Sequence, residues 1–535
     1  MNLGDNRTTV VSRRGMVVCP HHLASKVGLD ILKQGGSAVD GAIALNAALS
    51  VVYPHMTGLG GDAFLLIYNR ENNKIYGLNG SGRSAQAASI ELYKQRGCNA
   101  IPQRGPLSAI TVPGAVDAWW QAHQRFGQLS WQRLLQPAIE LAAQGYPVSN
   151  SQVYWTRQNQ TVLAQYPGSQ RAFLPNHGAP ARGSTVQNPD LANTLQCLAA
   201  EGRDSFYRGA IAHEIIAGLQ DLGGLLSLAD FESHQSTWVA PITATYRGYT
   251  VYEMPPNTQG MAVLQMLNLI EPFDLAAMGH GSADYYHLMV EATKLAFADR
   301  DRWVTDPNFA DIPVDQLISK SYSDRRRHRI NLSQAQNYRA GVIGGDTTYS
   351  AVVDAEGNAV SMIQSLYFDF GSGVVPGNTG LILQNRGSFF SLDPAHINCL
   401  APGKRTFHTL IPAMVTQPNG QPYLVLGTMG GEGQPQTQLA MLTRMLDYDF
   451  EPQTAIDLPR WRWGRTWGDR DSGLTLEGRI NPSVQDALCS RGHSVTLAPD
   501  WSETMGHAHL IRIDPNTQEL QGGCDRRSDG QAMGW

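Results

Sequence analysis

Thr347 is the residue around which chemistry can be built, because a polar, glycine-containing stretch, Gln334 to Asp346, runs straight into a buried strand that begins with it. A threonine hydroxyl is a weak nucleophile and needs a base beside it. If the chain is cut after Asp346, the α-amine of Thr347 is that base, since such amines have pKa values of about 7.7–8.0. An acyl intermediate also needs oxyanion donors. Gly427-Thr428-Met429-Gly430-Gly431 follows an apolar strand and offers consecutive backbone N–H groups with little side-chain obstruction. Taken alone, a Thr-Thr pair in a strand and a Gly-Gly turn are ordinary. Other chemistries find less support: the sequence has no GxSxG elbow, no HExxH and no Walker-type loop. Gly58-Leu59-Gly60-Gly61-Asp62-Ala63 loosely resembles a dinucleotide fingerprint, but it follows a helix and precedes a strand, the reverse of that motif's order. His507 and His509 form an HxH pair that could ligate a metal, yet no third ligand is evident and a polar strand face is the commoner reading. His21, His22, His55 and His408 are in general more often structural than catalytic.

The elements that must hold such a site are legible as patterns. Ser37 reads as an N-cap, with Asp40 in the first turn, for a helix whose apolar residues run from Ala38 to Val52. Leu23 to Lys33 reads as a helix ending at Gly35-Gly36. Helical spacing returns over Ser130 to Gln144, Ser282 to Arg302 and Leu439 to Leu446. Phe64 to Tyr68 and Tyr423 to Leu426 read as strands, and Tyr349 to Val353 with Asn358 to Leu366 as a hairpin of two buried strands. The chain has 535 residues, 42% hydrophobic and 16% charged, with a net charge of -5. That permits a large core and fits two or more domains or one large one. The densest basic run, Arg325-Arg326-Arg327-His328-Arg329, is short, so nucleic acid is a poor candidate partner. The longest near-apolar stretch, Gly41 to Tyr53, is too short to span a bilayer. Six scattered cysteines and an N-terminus without an apolar signal region make a cytoplasmic setting the expectation, which an upstream start site would change to a periplasmic or secreted one.

Ordered along the chain are MVVCPHHLASKVGLDILKQGGSAVDGAIALNAALSVVYPHMTGLGGDAFLLIY, GSGRSA, VPGAVDAW, DTTYSAVVDAEGNAVSMIQSLYFDFGSGVVPGNTGLIL, APGKRTFHTLIPAMV, GTMGGEGQPQ and DRRSDGQAMG. Together they resemble, nearly end to end, the γ-glutamyltranspeptidase (glutathione hydrolase) family of N-terminal-nucleophile hydrolases. The resemblance implies an α+β fold, an αββα sandwich of two stacked antiparallel sheets between helical layers, formed jointly by a large subunit, 1–346, and a small subunit, 347–535. It implies that Thr347 attacks the Asp346 carbonyl during self-cleavage and then serves as the nucleophile. Ser365 falls where the family has a threonine bonded at the nucleophile, Gly430 and Gly431 on the oxyanion glycines, and Arg83 on the arginine that grips the substrate's α-carboxylate. No metal or organic cofactor is implied. The expected partner is a small γ-glutamyl or related acyl amide, and the two subunits stay paired, with further dimerisation left open.

The departures are informative. Where the family holds the glutamyl amine with acidic or amide side chains, this sequence reads Arg386 and Phe389, neither able to accept from an ammonium. The family's serine pair in the substrate-contact loop reads His408-Thr409, and an asparagine two residues beyond Ser365 reads Tyr367, so the resemblance implies that His408, Thr409 and Tyr367 contact substrate. Glu432, beside the glycine pair, is a candidate to hold the amine instead. The segment from Ser391 to Lys404 is too short for the lid loop that many members carry, which favours water over an acceptor amine. Two enzyme readings follow: hydrolysis and transfer of γ-glutamyl amides such as glutathione, or a glutaryl- or cephalosporin-type acylase using the same mechanism. A non-catalytic binding protein on the same fold and a metallohydrolase using His507 and His509 are the remaining alternatives.

Overall fold

Fourteen strands build two seven-stranded sheets whose facing surfaces close over the start of one central hairpin. The structure is a computed structural model that describes residues 7–336, 346–464 and 473–535. Most of the connection before Thr347, residues 337–345, therefore lies outside the described residues.

In chain order the strands are β1 (Val10–Ser12), β2 (Met16–Val18), β3 (Asp62–Asn69), β4 (Lys74–Gly80), β5 (Thr237–Val239), β6 (Ile242–Tyr246), β7 (Tyr249–Glu253), β8 (Asp346–Val353), β9 (Ala359–Tyr367), β10 (Ala413–Thr416), β11 (Pro422–Thr428), β12 (Ala508–Ile513), β13 (Leu520–Cys524) and β14 (Met533–Gly534). One sheet runs β1-β13-β12-β11-β10-β7-β6 and the other β14-β2-β8-β9-β3-β4-β5, with every pairing antiparallel. Each sheet takes strands from both sides of the Asp346–Thr347 junction. A cut there would leave two chains sharing one fold rather than two separable domains.

Alternation along the strands assigns the layers. Tyr349, Ala351, Val353 and Ile363 pack with Met414, Val425 and Ile511 between the sheets. Val352, Val360 and Met362 turn the other way, against α1 (His22–Lys33) and α2 (Ala38–Val52). On the far side of the other sheet, Val251, Val415, Leu424 and Leu510 pack under α3 (Gly260–Ile270), α4 (Ala283–Trp303) and α5 (Gln434–Leu446). The layers are thus helix, sheet, sheet, helix, as the resemblance implies.

Local chemistry fixes the two elements nearest the hairpin. All 15 residues of α2 are buried, and Ser37 and Asp40 form a reciprocal capping box at its start. Asn46 on α2 donates to Ser350 Oγ at 3.0 Å, fastening the helix to β8. The hairpin turn closes through Asn358 N–H to Asp354 Oδ1 at 2.8 Å, while Asp354 Oδ2 accepts from the Ala38 N–H at 2.9 Å. Among the described residues no helix is long and apolar enough to cross a membrane.

Candidate active site

Thr347 lies where the β8–β9 register breaks. Asp346 pairs with Tyr367 and Thr348 with Gln364, so a β-bulge falls at the threonine; bulges re-aim a side chain next to a functional site. Opposite Asp346, Tyr367 has φ of +85°, a left-handed conformation that costs a non-glycine residue about 1–3 kcal/mol. Its N–H donates to Ser365 Oγ at 2.7 Å. The turn before β3 presses on the same strand: a Cβ at Gly61 would sit 2.2 Å from the Ser365 carbonyl oxygen, so only glycine lets the turn approach.

The Thr347 hydroxyl is buried and accepts from Gln434 Nε2 at 3.3 Å. It therefore points to where β11 hands over to α5. Gly430, φ +128°, and Gly431, φ +53°, make that turn, and Gln434 is the first residue of α5. The positive end of a 13-residue helix dipole lies beside the hydroxyl. Among the described residues no imidazole hydrogen-bonds to Thr347.

Behind the glycine turn runs a buried polar network. Arg300 on α4 donates to Glu432 Oε2 and to Gln259 Oε1, both at 3.0 Å. Gln259 Nε2 in turn reaches the carbonyls of Gly431 and Thr409, both at 2.9 Å. The Glu432 carboxylate is therefore engaged through Oε2 by an internal guanidinium, with which an ammonium would have to compete. The proposed amine-holding role of Glu432 meets that obstacle.

His408 is also turned inward. Its Nδ1 accepts from the Leu410 N–H at 3.3 Å, which leaves the proton on Nε2, 3.1 Å from Asp62 Oδ2. Burial, then the charge of Arg386, pulls its pKa down to about 3, against the opposing pull of Asp62, so the ring is neutral. Both nitrogens are committed, so His408 is bonded to Asp62 and to the Leu410 N–H. Thr409 is brought to the site, its hydroxyl accepting from Arg386 Nη1 at 3.1 Å. Arg83 stands further out, its side chain 39% exposed, with Nη1 on Asp306 at 3.1 Å and on the Gly403 carbonyl at 3.0 Å. The described bonds use Nη1 alone, so its other N–H groups can meet a ligand. The short Ser391–Lys404 segment folds on itself, Ser391 and Asn398 pairing at 3.0 Å, and is fastened to Ser84 through the carbonyl oxygens of Ala401 and Lys404.

Gln434, Gln259, Arg300 and Asp62 are site residues that the sequence reading passed over. Gln434 and Asp62 lie inside the quoted segments GTMGGEGQPQ and TGLGGDAF, where their neighbours drew attention; Gln259 and Arg300 carry no local signal. His507 and His509 belong to no group of three potential metal ligands among the described residues. The one such group is His287, Glu291 and His493, whose ligand atoms lie within 4.8 Å of one another. There His287 bonds His493 at 2.8 Å and the Asn331 carbonyl at 2.7 Å, and Lys294 holds Glu291 at 2.6 Å. An ammonium against the only carboxylate opposes a cation.

Comparison with known proteins bears on the whole arrangement. The sequence pattern of the family described as gamma-glutamyltranspeptidase matches residues 24–535. The chain is 48% identical over 526 residues to the glutathione hydrolase-like YwrD proenzyme of Bacillus subtilis, covering 98% of this chain and 99% of that protein. It is 42% identical to the oxamate amidohydrolase proenzyme of Klebsiella pneumoniae, again over 98% and 99% of the two chains. Its fold is similar to the crystal structure of cephalosporin acylase from Bacillus halodurans, with a TM-score of 0.94, 38% identity and coverage of 100% and 98%. A match of this extent, on a sandwich of two antiparallel sheets with a threonine at its central hairpin, places the chain in the γ-glutamyltranspeptidase family of N-terminal-nucleophile hydrolases.

Proposed function

We propose that this chain is a self-processing amide hydrolase and acyl transferase whose nucleophile is Thr347. The observation that carries the reading is the buried Thr347 hydroxyl, set at a bulge and bonded by Gln434 at the N-terminal end of α5, with no imidazole bonded to it among the described residues. In maturation the hydroxyl oxygen attacks the Asp346 carbonyl carbon, the C–N bond breaks, and water opens the resulting ester. The products are a large subunit, 1–346, and a small subunit, 347–535, paired through their shared sheets. The freed α-amine then takes the hydroxyl proton as Thr347 attacks a substrate amide, and passes it to the leaving amine. Backbone N–H groups at Gly430 and Gly431 hold the oxyanion, and Arg83 takes a carboxylate on the acyl group. Water or an acceptor amine releases the acyl group from the threonine ester.

γ-Glutamyl amides, glutathione and its conjugates among them, are the substrates of this reading. A second reading, an acylase for acyl groups with a carboxylate and no amine, is favoured by Arg386 standing where an amine acceptor would be needed and by Glu432 being held by Arg300. The names of the acylase and amidohydrolase relatives agree with it. The purified enzyme should run as two unequal fragments, the smaller beginning TTYSAVVD, and Thr347→Ala should remain one chain. Active material with an intact 346–347 bond would defeat the mechanism. Comparing γ-glutamyl and glutaryl anilides separates the two substrate classes: a several-hundredfold preference for the γ-glutamyl compound would dismiss the acylase.

A further inference from the structure

Arg386 is fully buried and yet faces no carboxylate among the described residues. Its Nη1 donates to the Thr409 hydroxyl at 3.1 Å, its Nη2 lies 3.4 Å from Ser365 Oγ, and its Nε has no partner. The guanidinium stacks 4.4 Å from the Tyr367 ring centroid and 5.4 Å from that of Phe389. Burial pulls its pKa down to about 10, with Tyr367 and Asp62 opposing the shift, so it stays charged near neutrality. A buried cation held only by hydroxyls and ring faces is costly unless something else pairs with it.

Among the described residues the surrounding charges do not pair with it. Arg83 is on Asp306, the backbone of Arg405 takes the same carboxylate, and the Arg405 side chain bonds the Ser81 carbonyl at 3.0 Å. Asp62 is held by neutral His408 and by three N–H donors, from Gly82, Gly114 and Gln384. Among the described residues the Arg405 side chain also has neutral partners, but they are the Ser81 and Gln235 carbonyls and the Thr237 hydroxyl, whereas Arg386 has two hydroxyls and an Nε without a partner.

Its position puts the missing anion near the nucleophile. The register of β8 and β9 leaves Thr347 opposite Ser365 and Leu366, so the guanidinium is one side chain away from the nucleophile. On its other side Thr409 shares Gln259 with Gly431 of the glycine turn. We infer that Arg386 forms an anion subsite for the acyl half of the substrate, taking a carboxylate borne one to three bonds from the scissile carbonyl. The favoured substrates are then monoamides of short dicarboxylic acids without an α-amino group. An acyl chain with three carbons between its carbonyl and its carboxylate, glutaryl or γ-glutamyl, would have to fold back to use Arg386, and its carboxylate belongs with the outer Arg83. This inference rests on Thr347 being the nucleophile.

The test uses the purified, processed enzyme and a series of unsubstituted amides: oxamate, malonamate, succinamate and glutaramate, with γ-glutamyl-p-nitroanilide and neutral propionamide alongside. The expected kcat/KM peaks among the first three, at least tenfold above glutaramate. Arg386→Met should lower the ratio of acid amide to propionamide about 100-fold, chiefly through KM, and Arg386→Lys should restore part of it. Calorimetric binding of the free dicarboxylates to the wild-type enzyme should peak at the same length, which reads the subsite even if a variant fails to fold. A flat length profile, or acid and neutral amides falling together in Arg386→Met, overturns the inference. Failure of the nucleophile reading would show separately, as a single uncut band.

Discussion

Replacing Arg300 by methionine tests whether the network behind the glycine turn holds the catalytic geometry. The side chains of Arg300 and Glu432 are 1% and 5% exposed, and the pair is 3.0 Å apart. Removing one partner of a buried pair strands the other charge, which costs about 3–5 kcal/mol. The same change releases Gln259, which fixes the carbonyls of Gly431 and Thr409. In urea unfolding of the uncut Thr347→Ala chain, Arg300→Met should therefore lose about 3–5 kcal/mol. Adding Glu432→Gln should recover part of that loss, giving a coupling of roughly 1–3 kcal/mol in the double-mutant cycle. In the processed enzyme, displacing the oxyanion donors should lower kcat about 10²-fold. A loss below about 1 kcal/mol, or strictly additive substitutions, would refute the reasoning.

Two other perturbations probe the frame. Gly61→Ala places a methyl 2.2 Å from the Ser365 carbonyl oxygen, so the turn must move off β9; processing followed on gels should slow, with a stability loss of about 1–3 kcal/mol, and an unchanged processing rate would show that the contact yields freely. Glu503 is pushed up to about 7, mainly by burial and further by Asp529 and Asp525, against the Trp155 hydrogen bond. A carboxyl whose pKa is raised on folding contributes stability below its unfolded pKa of about 4.3, lost as pH rises toward 7. The stability of the wild type relative to Glu503→Gln should therefore fall between about pH 4.5 and 7, and a constant difference over that window would contradict the burial argument.

The glycine turn and the Asp62–His408 pair show how the site reaches outside the motif that marks it. The quoted GTMGGEGQPQ segment draws attention to Gly430 and Gly431, while the support for their placement comes from Gln259 and Arg300, far away in sequence. His408, expected in the substrate-contact loop, has its two ring nitrogens on Asp62 and on the Leu410 N–H. For a catalytic assay this means that changes at His408 act through Asp62 and the turns it fastens.

What the sequence by itself determined was set by local physics and by ordered motifs. The Ser37–Asp40 cap, the apolar run of α2 and the hairpin around Asp354–Asn358 each depend on neighbours a few residues apart, and their patterns were readable. The same holds for the choice of Thr347 as the residue to build on, since its context lies in one continuous segment. Only the tertiary structure decided which charges are already satisfied. Glu432 and Arg300 are 132 residues apart, Asp62 and His408 are 346 apart, and Arg386 meets Ser365 and Thr409 only because a loop returns to the end of β9. A side chain's availability to substrate depends on what the fold has packed against it in low dielectric, and no spacing along the chain encodes that.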